Sequence, residues 1–139
     1  MVNKVKNNTD NLFTEYFSGI IKNEYLFRKY ELLNLKSNDD NIGGGQAKNV
    51  RSIKIENDMI RLESDVELKN LKRKMDRVKA FVATLKESDR NLLIWHYNKN
   101  KYHTWLQIST LLHADVSTCT RRLNLIKDEF ERSIFNRYY

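Results

Sequence analysis

Apolar side chains recur at steps of three and four along the first third of the chain. Phe13, Phe17, Ile20, Ile21 and Phe27 run beside Leu12, Tyr16, Leu26, Tyr30 and Leu33. That period predicts an α-helix, with Thr9 as its N-cap and its end near Leu35. Its apolar arc is broader than a single seam, so another helix or a second copy of the chain should clasp it. The polar stretch 37–52, which contains Gly43, Gly44 and Gly45, reads as a turn or linker. A phosphate-cradling loop is disfavoured there, because no strand precedes the glycines and no Gly-Lys-Ser/Thr follows them.

From about Ile53 to Leu85 a long helical pattern runs in two registers. Ile55, Met59, Ile60, Leu62 and Val66 form the first, which is expected to meet the first helix. Leu68, Leu71, Met75, Val78, Val82 and Leu85 form the second, stepping three and four alternately as a coiled-coil seam does. The shift between Val66 and Leu68 turns the stripe around the helix axis, so the two halves should face different partners. Opposite the second register lie Lys69, Lys72, Arg73, Lys74, Arg77 and Lys79, a face suited equally to solvent or to a phosphate backbone.

The last third changes character. Ser88 reads as the N-cap of a short helix carrying Leu92, Leu93, Trp95 and Tyr97, with Asp89 suited to its first turn. Residues 98–101 break the pattern. Thr104 opens a second short helix with Trp105, Ile108, Leu111 and Leu112 as its apolar set. A tight turn at His113 and Ala114 follows, then a longer helix from about Val116, capped by Asp115, with Cys119, Leu123, Ile126 and Phe130 turned inward. Two helices across such a turn predict a helix-turn-helix, whose second helix lies in the DNA major groove. At helical spacing, Trp95 and Trp105 belong in the core rather than against bases.

The predicted fold class is therefore all-α, with long N-terminal helices, as a helical hairpin or coiled-coil-like pair, ahead of a C-terminal helix-turn-helix. The expected division is 1–85, for oligomerisation or partner contact, and 86–139, for DNA binding. Composition agrees with a folded chain: hydrophobic residues make up 40% and charged residues 31%, and Pro is absent, so uninterrupted helices are permitted. No run approaches the roughly 18 apolar residues of a membrane span, and the start has no signal-peptide core, so a cytoplasmic location is expected. The single Cys119 allows no internal disulfide.

Charge sharpens the picture. The chain carries a net +7, but residues 1–67 hold 10 basic and 11 acidic side chains, whereas 68–139 hold 15 and 7. The basic half coincides with the helix-turn-helix and marks double-stranded DNA as the expected partner. With the apolar stripe inward, Val116, Ser117, Thr120, Arg121 and Asn124 face out. Arginine suits guanine, asparagine suits adenine, and hydroxyls and apolar groups suit phosphates or a thymine methyl. Thr118, Arg122, Lys127, Lys99 and Lys101 complete the candidate DNA-binding set, Arg122 being equally able to brace the helix. His96, His103, His113 and Cys119 match no metal-ligand spacing, and no nucleophile sits in a triad or elbow pattern. Neither a cofactor, a metal nor an enzymatic activity is expected.

The run from Ile108 through Ala114, Ser117, Thr118 and Cys119 to Arg122 and Leu123 resembles the second half of region 4 of bacterial sigma factors. It departs at Ser109, His113 and Cys119, where alanine, glycine and valine are usual. Over residues 25–130, the Asp40-Asn41-Ile42-Gly43-Gly44-Gly45 run, the long charged helix, Tyr102-His103-Thr104-Trp105 and the segment from Ser117 to Arg122 resemble phage late-gene transcriptional regulators of the RinA and ArpU type. The resemblance implies a phage- or prophage-encoded activator in a bacterial host, in contact with RNA polymerase, with a homodimer as a further option. A small-terminase-like packaging protein and a protein-interaction module using Phe13, Phe17 and Phe27 are the alternatives. Assembly state separates the first alternative, and the inertness of Arg121 would mark the second.

Overall fold

The computed structural model describes residues 2–34 and 47–136. These residues form seven α-helices and one 3-10 turn, and no strand is present among them: α1 (Val2–Phe17), α2 (Ile20–Leu33), α3 (Ala47–Ser64), α4 (Val66–Ala83), α5 (Glu87–Tyr97), the 3-10 turn Lys99–Lys101, α6 (Trp105–Leu112) and α7 (Val116–Asn136). The all-α class is as the periodicity predicts. The glycine run at 43–45 and the C-terminal residues 137–139 lie outside the described residues, and α3 begins at Ala47, inside the stretch expected to be a linker.

The chain divides into two compact units, Met1–Ile20 with Met75–Tyr139, and Ile21–Lys74. This differs from the expected division at residue 85, and the reason is aromatic. Phe13 is fully buried and its ring meets those of Phe17, Phe81, Tyr97 and Phe130 at centroid distances of 4.9–6.5 Å. Together with Val78, Leu92, Leu93, Ile108, Cys119, Leu123 and Ile126 these side chains make one core. Periodicity located the apolar arc of α1 but could not say what covers it, and α5 and α7 do.

The expected single first helix is two helices. Ser18 and Gly19 interrupt it, with Gly19 at a φ of 81°, a backbone conformation that glycine reaches without a Cβ penalty. Nor is Thr9 an N-cap: it sits within α1, buried, its hydroxyl donating to Glu131 at 3.0 Å. Ser18 is buried and pins the far end of α5. Its hydroxyl donates to the Tyr97 carbonyl at 3.0 Å and accepts from the Lys99 N–H at 3.1 Å, while the Asn100 amide donates to the Ser18 carbonyl at 3.0 Å. The basic turn Lys99–Lys101 is thereby held in place.

In the unit Ile21–Lys74, the break between the two registers falls at Asp65, close to where the stripe shifts. Its carboxylate accepts the Leu68 N–H at 2.9 Å, as an N-cap does, and accepts two further bonds from Arg28 at 2.8 and 3.1 Å. That guanidinium, and then the Leu68 N–H, hold the Asp65 carboxyl below its usual range. The first register, expected to be packed, is largely exposed. Ile55, Met59, Ile60 and Val66 are exposed, as are Leu26, Phe27 and Tyr30 of α2. Leu68, Leu71 and Val78 of the second register are buried as predicted, and the lysines and arginines opposite are exposed apart from half-buried Arg77.

Candidate nucleic-acid interface

Thr104 starts α6 with a capping box. Its hydroxyl accepts the Gln107 N–H at 3.2 Å, and the Gln107 side chain accepts the Thr104 N–H at 2.9 Å, satisfying two helix-end donors reciprocally. α6 ends at His113, whose φ of 56° and ψ of 41° are left-handed. The Ala114 N–H reaches back to the Ser109 carbonyl at 3.1 Å and the His113 N–H to the Thr110 carbonyl at 3.4 Å, the pair of bonds that closes a Schellman motif. A histidine thus occupies the left-handed position at which a helix end usually has glycine. His113→Gly is expected to raise stability by up to about 1 kcal/mol, because the left-handed penalty of a Cβ disappears; a lower urea midpoint for that variant would contradict this.

Asp115 precedes α7, its carbonyl accepting the Cys119 N–H at 2.9 Å. Cys119, Leu123, Ile126 and Phe130 are buried as predicted, and burial raises the Cys119 thiol above its ordinary range, so it is an inert core group. At roughly 100° per residue, this stripe leaves Ser117 and Arg121 at the centre of the outer face. Asn124 and Thr120 fall toward one edge and Thr118 toward the other, all of them exposed together with Val116. The Thr120 hydroxyl donates to the Val116 carbonyl at 2.9 Å, leaving its lone pairs outward, and Arg121 makes only a long bond to the Ser117 carbonyl at 3.4 Å.

Two members of the expected set have other work. Arg122 bonds Asp89 through Nε at 2.9 Å and through a second nitrogen, and Asp89 is only 4% exposed. Of its two readings, Arg122 takes the bracing one, joining α7 to the first turn of α5. That helix starts at Glu87 with Lys86 as its N-cap, so Ser88 is not the cap that its residue type suggested. Lys127 is a correction of the same kind. It is buried, its Nζ within 3.2 Å of the Asp10 carboxylate, which also accepts the Tyr97 hydroxyl at 2.6 Å. Burial, then the bond to Asp10, pushes the Tyr97 hydroxyl far above its ordinary range. A stripe through 119, 123, 126 and 130 leaves 127 at its margin, and Asp10, distant in sequence, was invisible as its partner.

Two open clefts flank the N-terminal half of α7. One, of about 680 Å³, is lined by Thr120 and Asn124 of α7 and by Lys99, Tyr102, Tyr97 and Trp105. His96 also lines it, its ring 4.6 Å from that of Trp105, and burial lowers its basicity below that of ordinary imidazole. The second, of about 320 Å³, is bounded by Lys86 and Ser88 across from Thr118 and Arg122. Lys101 is exposed on the pinned turn. Trp95 and Trp105 pack against the core rather than standing free. Among the described residues, no group of three or more His, Cys, Asp or Glu side chains could hold a metal, and no helix is long and apolar enough to cross a membrane.

A family profile described as protein of unknown function (DUF722) matches residues 5–132. The chain belongs to the DUF722 family. No curated protein and no solved structure matches it. The DUF722 match spans α1 through most of α7, so the aromatic N-terminal helix and the C-terminal pair α6 and α7 belong to one family unit.

Proposed function

We propose that the protein is a sequence-specific, double-stranded DNA-binding regulator of transcription, with α6, the His113–Asp115 turn and α7 acting as a helix-turn-helix. The observation that carries this reading is the outer face of α7. Ser117, Thr120, Arg121 and Asn124 stand exposed on the first turns of a helix whose opposite side is locked into the core, so the reading side chains rest on a rigid element. Arg121 is the central base reader, suited to guanine O6 and N7, and Ser117 and Asn124 flank it. The protein acts by binding rather than by catalysis. Its resemblance to phage late-gene regulators supports activation of late genes inside a bacterial host.

Selection of bound fragments from a random duplex pool is expected to enrich one defined site. Arg121→Ala should weaken that site by about 1–3 kcal/mol and relax the preference at one or two base pairs. Enrichment of no site by the unaltered protein would refute specific readout.

A protein contact also belongs to this reading, favoured by the exposed Leu26, Phe27, Tyr30, Ile55, Met59 and Ile60 of the unit Ile21–Lys74. RNA polymerase or a second copy of the chain is the partner this surface would serve in a transcription activator.

A further inference from the structure

The two clefts beside α7 share a design. Each holds one carboxylate, and each carboxylate is already bonded to a cation of α7: Asp10 to Lys127 in one, Asp89 to Arg122 in the other. Each also presents one lysine on its far wall, Lys99 or Lys86, that is exposed and forms no ion pair with those acids. With its acid neutralised, each cleft keeps one surplus positive charge. On the edge of α7, Thr118 adds a hydroxyl to the second cleft, whereas the Thr120 hydroxyl in the first already donates to the Val116 carbonyl.

We infer that the two clefts are phosphate seats, one for each of the two sugar–phosphate strands that border the major groove, with Lys99 and Lys86 as the paired backbone contacts. This rests on the reading of α7 as the helix that enters DNA. An α-helix with its side chains is about 10–12 Å across, and the major groove is about 12 Å wide. A helix seated there fills the groove, so the two backbones pass along its sides, where the clefts lie. The walls opposite α7 are fixed. Lys99 stands on the turn pinned by Ser18, and Lys86 begins α5, whose first turn is tied to α7 through Asp89 and Arg122. Phosphate contacts of this kind set register and orientation and carry no sequence information, which leaves the choice of site to Ser117, Arg121 and Asn124. Lys86 thereby gains a role that its sequence neighbourhood does not suggest, and the C-terminal half of α7, with Asp128, Glu129 and Glu131, stays clear of the backbone.

The test is the salt dependence of affinity for the duplex recovered by selection, measured by fluorescence anisotropy on the full chain. Lys86→Gln and Lys99→Gln are each expected to reduce the slope of log K against log salt by about 0.9, with the preferred site unchanged. Lys86→Arg should restore the slope. Arg132→Gln, the same change of charge roughly 20 Å further along α7, should leave it intact. The Lys86 side chain makes no cap hydrogen bond, so its loss leaves α5 in place. A full slope in Lys86→Gln, an altered site preference in either lysine variant, or an equal effect of Arg132→Gln overturns the paired seats while leaving readout by α7 standing. Failure of the unaltered protein to select any duplex overturns both.

Discussion

Phe13→Ala is expected to lower the unfolding free energy by about 3–5 kcal/mol, the usual loss when a large aromatic side chain leaves a close-packed core. Four rings surround Phe13 within 6.5 Å, and it is 0% exposed, so the void has no flexible neighbour to fill it at once. Phe27→Ala is the matched comparison. At 64% exposed, Phe27 should cost under about 0.5 kcal/mol. Urea denaturation of the two variants separates them. Similar losses in both would mean that Phe27 is packed as Phe13 is, against its exposure. Because the core that Phe13 fills also supports α7, Phe13→Ala should weaken the proposed DNA binding through folding, with affinity returning under conditions that refold it.

The second large effect is expected at Arg122. Arg122→Ala leaves Asp89 buried without its cation, and breaking one partner of such a pair costs about 3 kcal/mol at the lower end of the usual range. The lower end applies because the Arg122 side chain is 38% exposed, so part of its charge is already solvated. Arg122→Lys should recover little, since a single ammonium cannot reproduce the two bonds to one carboxylate. The urea midpoint measures the stability, and the selected site measures recognition. Unchanged stability together with a changed site preference would show that Arg122 reads bases and that its bond to Asp89 is dispensable.

The periodic elements were legible in the sequence because they depend on neighbours three and four residues apart. The stripe Cys119, Leu123, Ile126 and Phe130, the Thr104 cap and the turn at His113 all stand as read. So does the register shift, displaced by a residue or two to Asp65, whose carboxylate makes the new helix start. What failed was what depends on distant partners. Phe17, Ile20 and Ile21 keep a helical step across Ser18 and Gly19, so periodicity ran through a break that the Ser-Gly pair signals only by its conformational freedom. Ser88 has the side chain of a cap, yet Lys86 holds the position, because Asp89 must reach Arg122 from the first turn of α5. Lys127 counted as a surface cation until Asp10 came beside it. In the candidate site, the outer face of α7 followed from the stripe alone. The clefts did not, since their far walls come from α1, the 3-10 turn and α5.

The unit that contains α7 is discontinuous in the chain: its first helix precedes residues 21–74 and the rest follows them. During synthesis, α1 therefore emerges with its aromatic side chains uncovered and waits for Tyr97 and Phe130, which follow the whole of the second unit in the chain. Closing a loop of that length costs little more than closing one half as long, about 0.6 kcal/mol, so the delay is one of timing rather than of equilibrium. A nascent chain stalled before Phe130 lacks one of the rings that close the core around Phe13. Any fragment that starts after α1, including one cut at residue 86 to isolate α6 and α7, lacks Phe13 and should behave as an open core rather than as a smaller version of the protein.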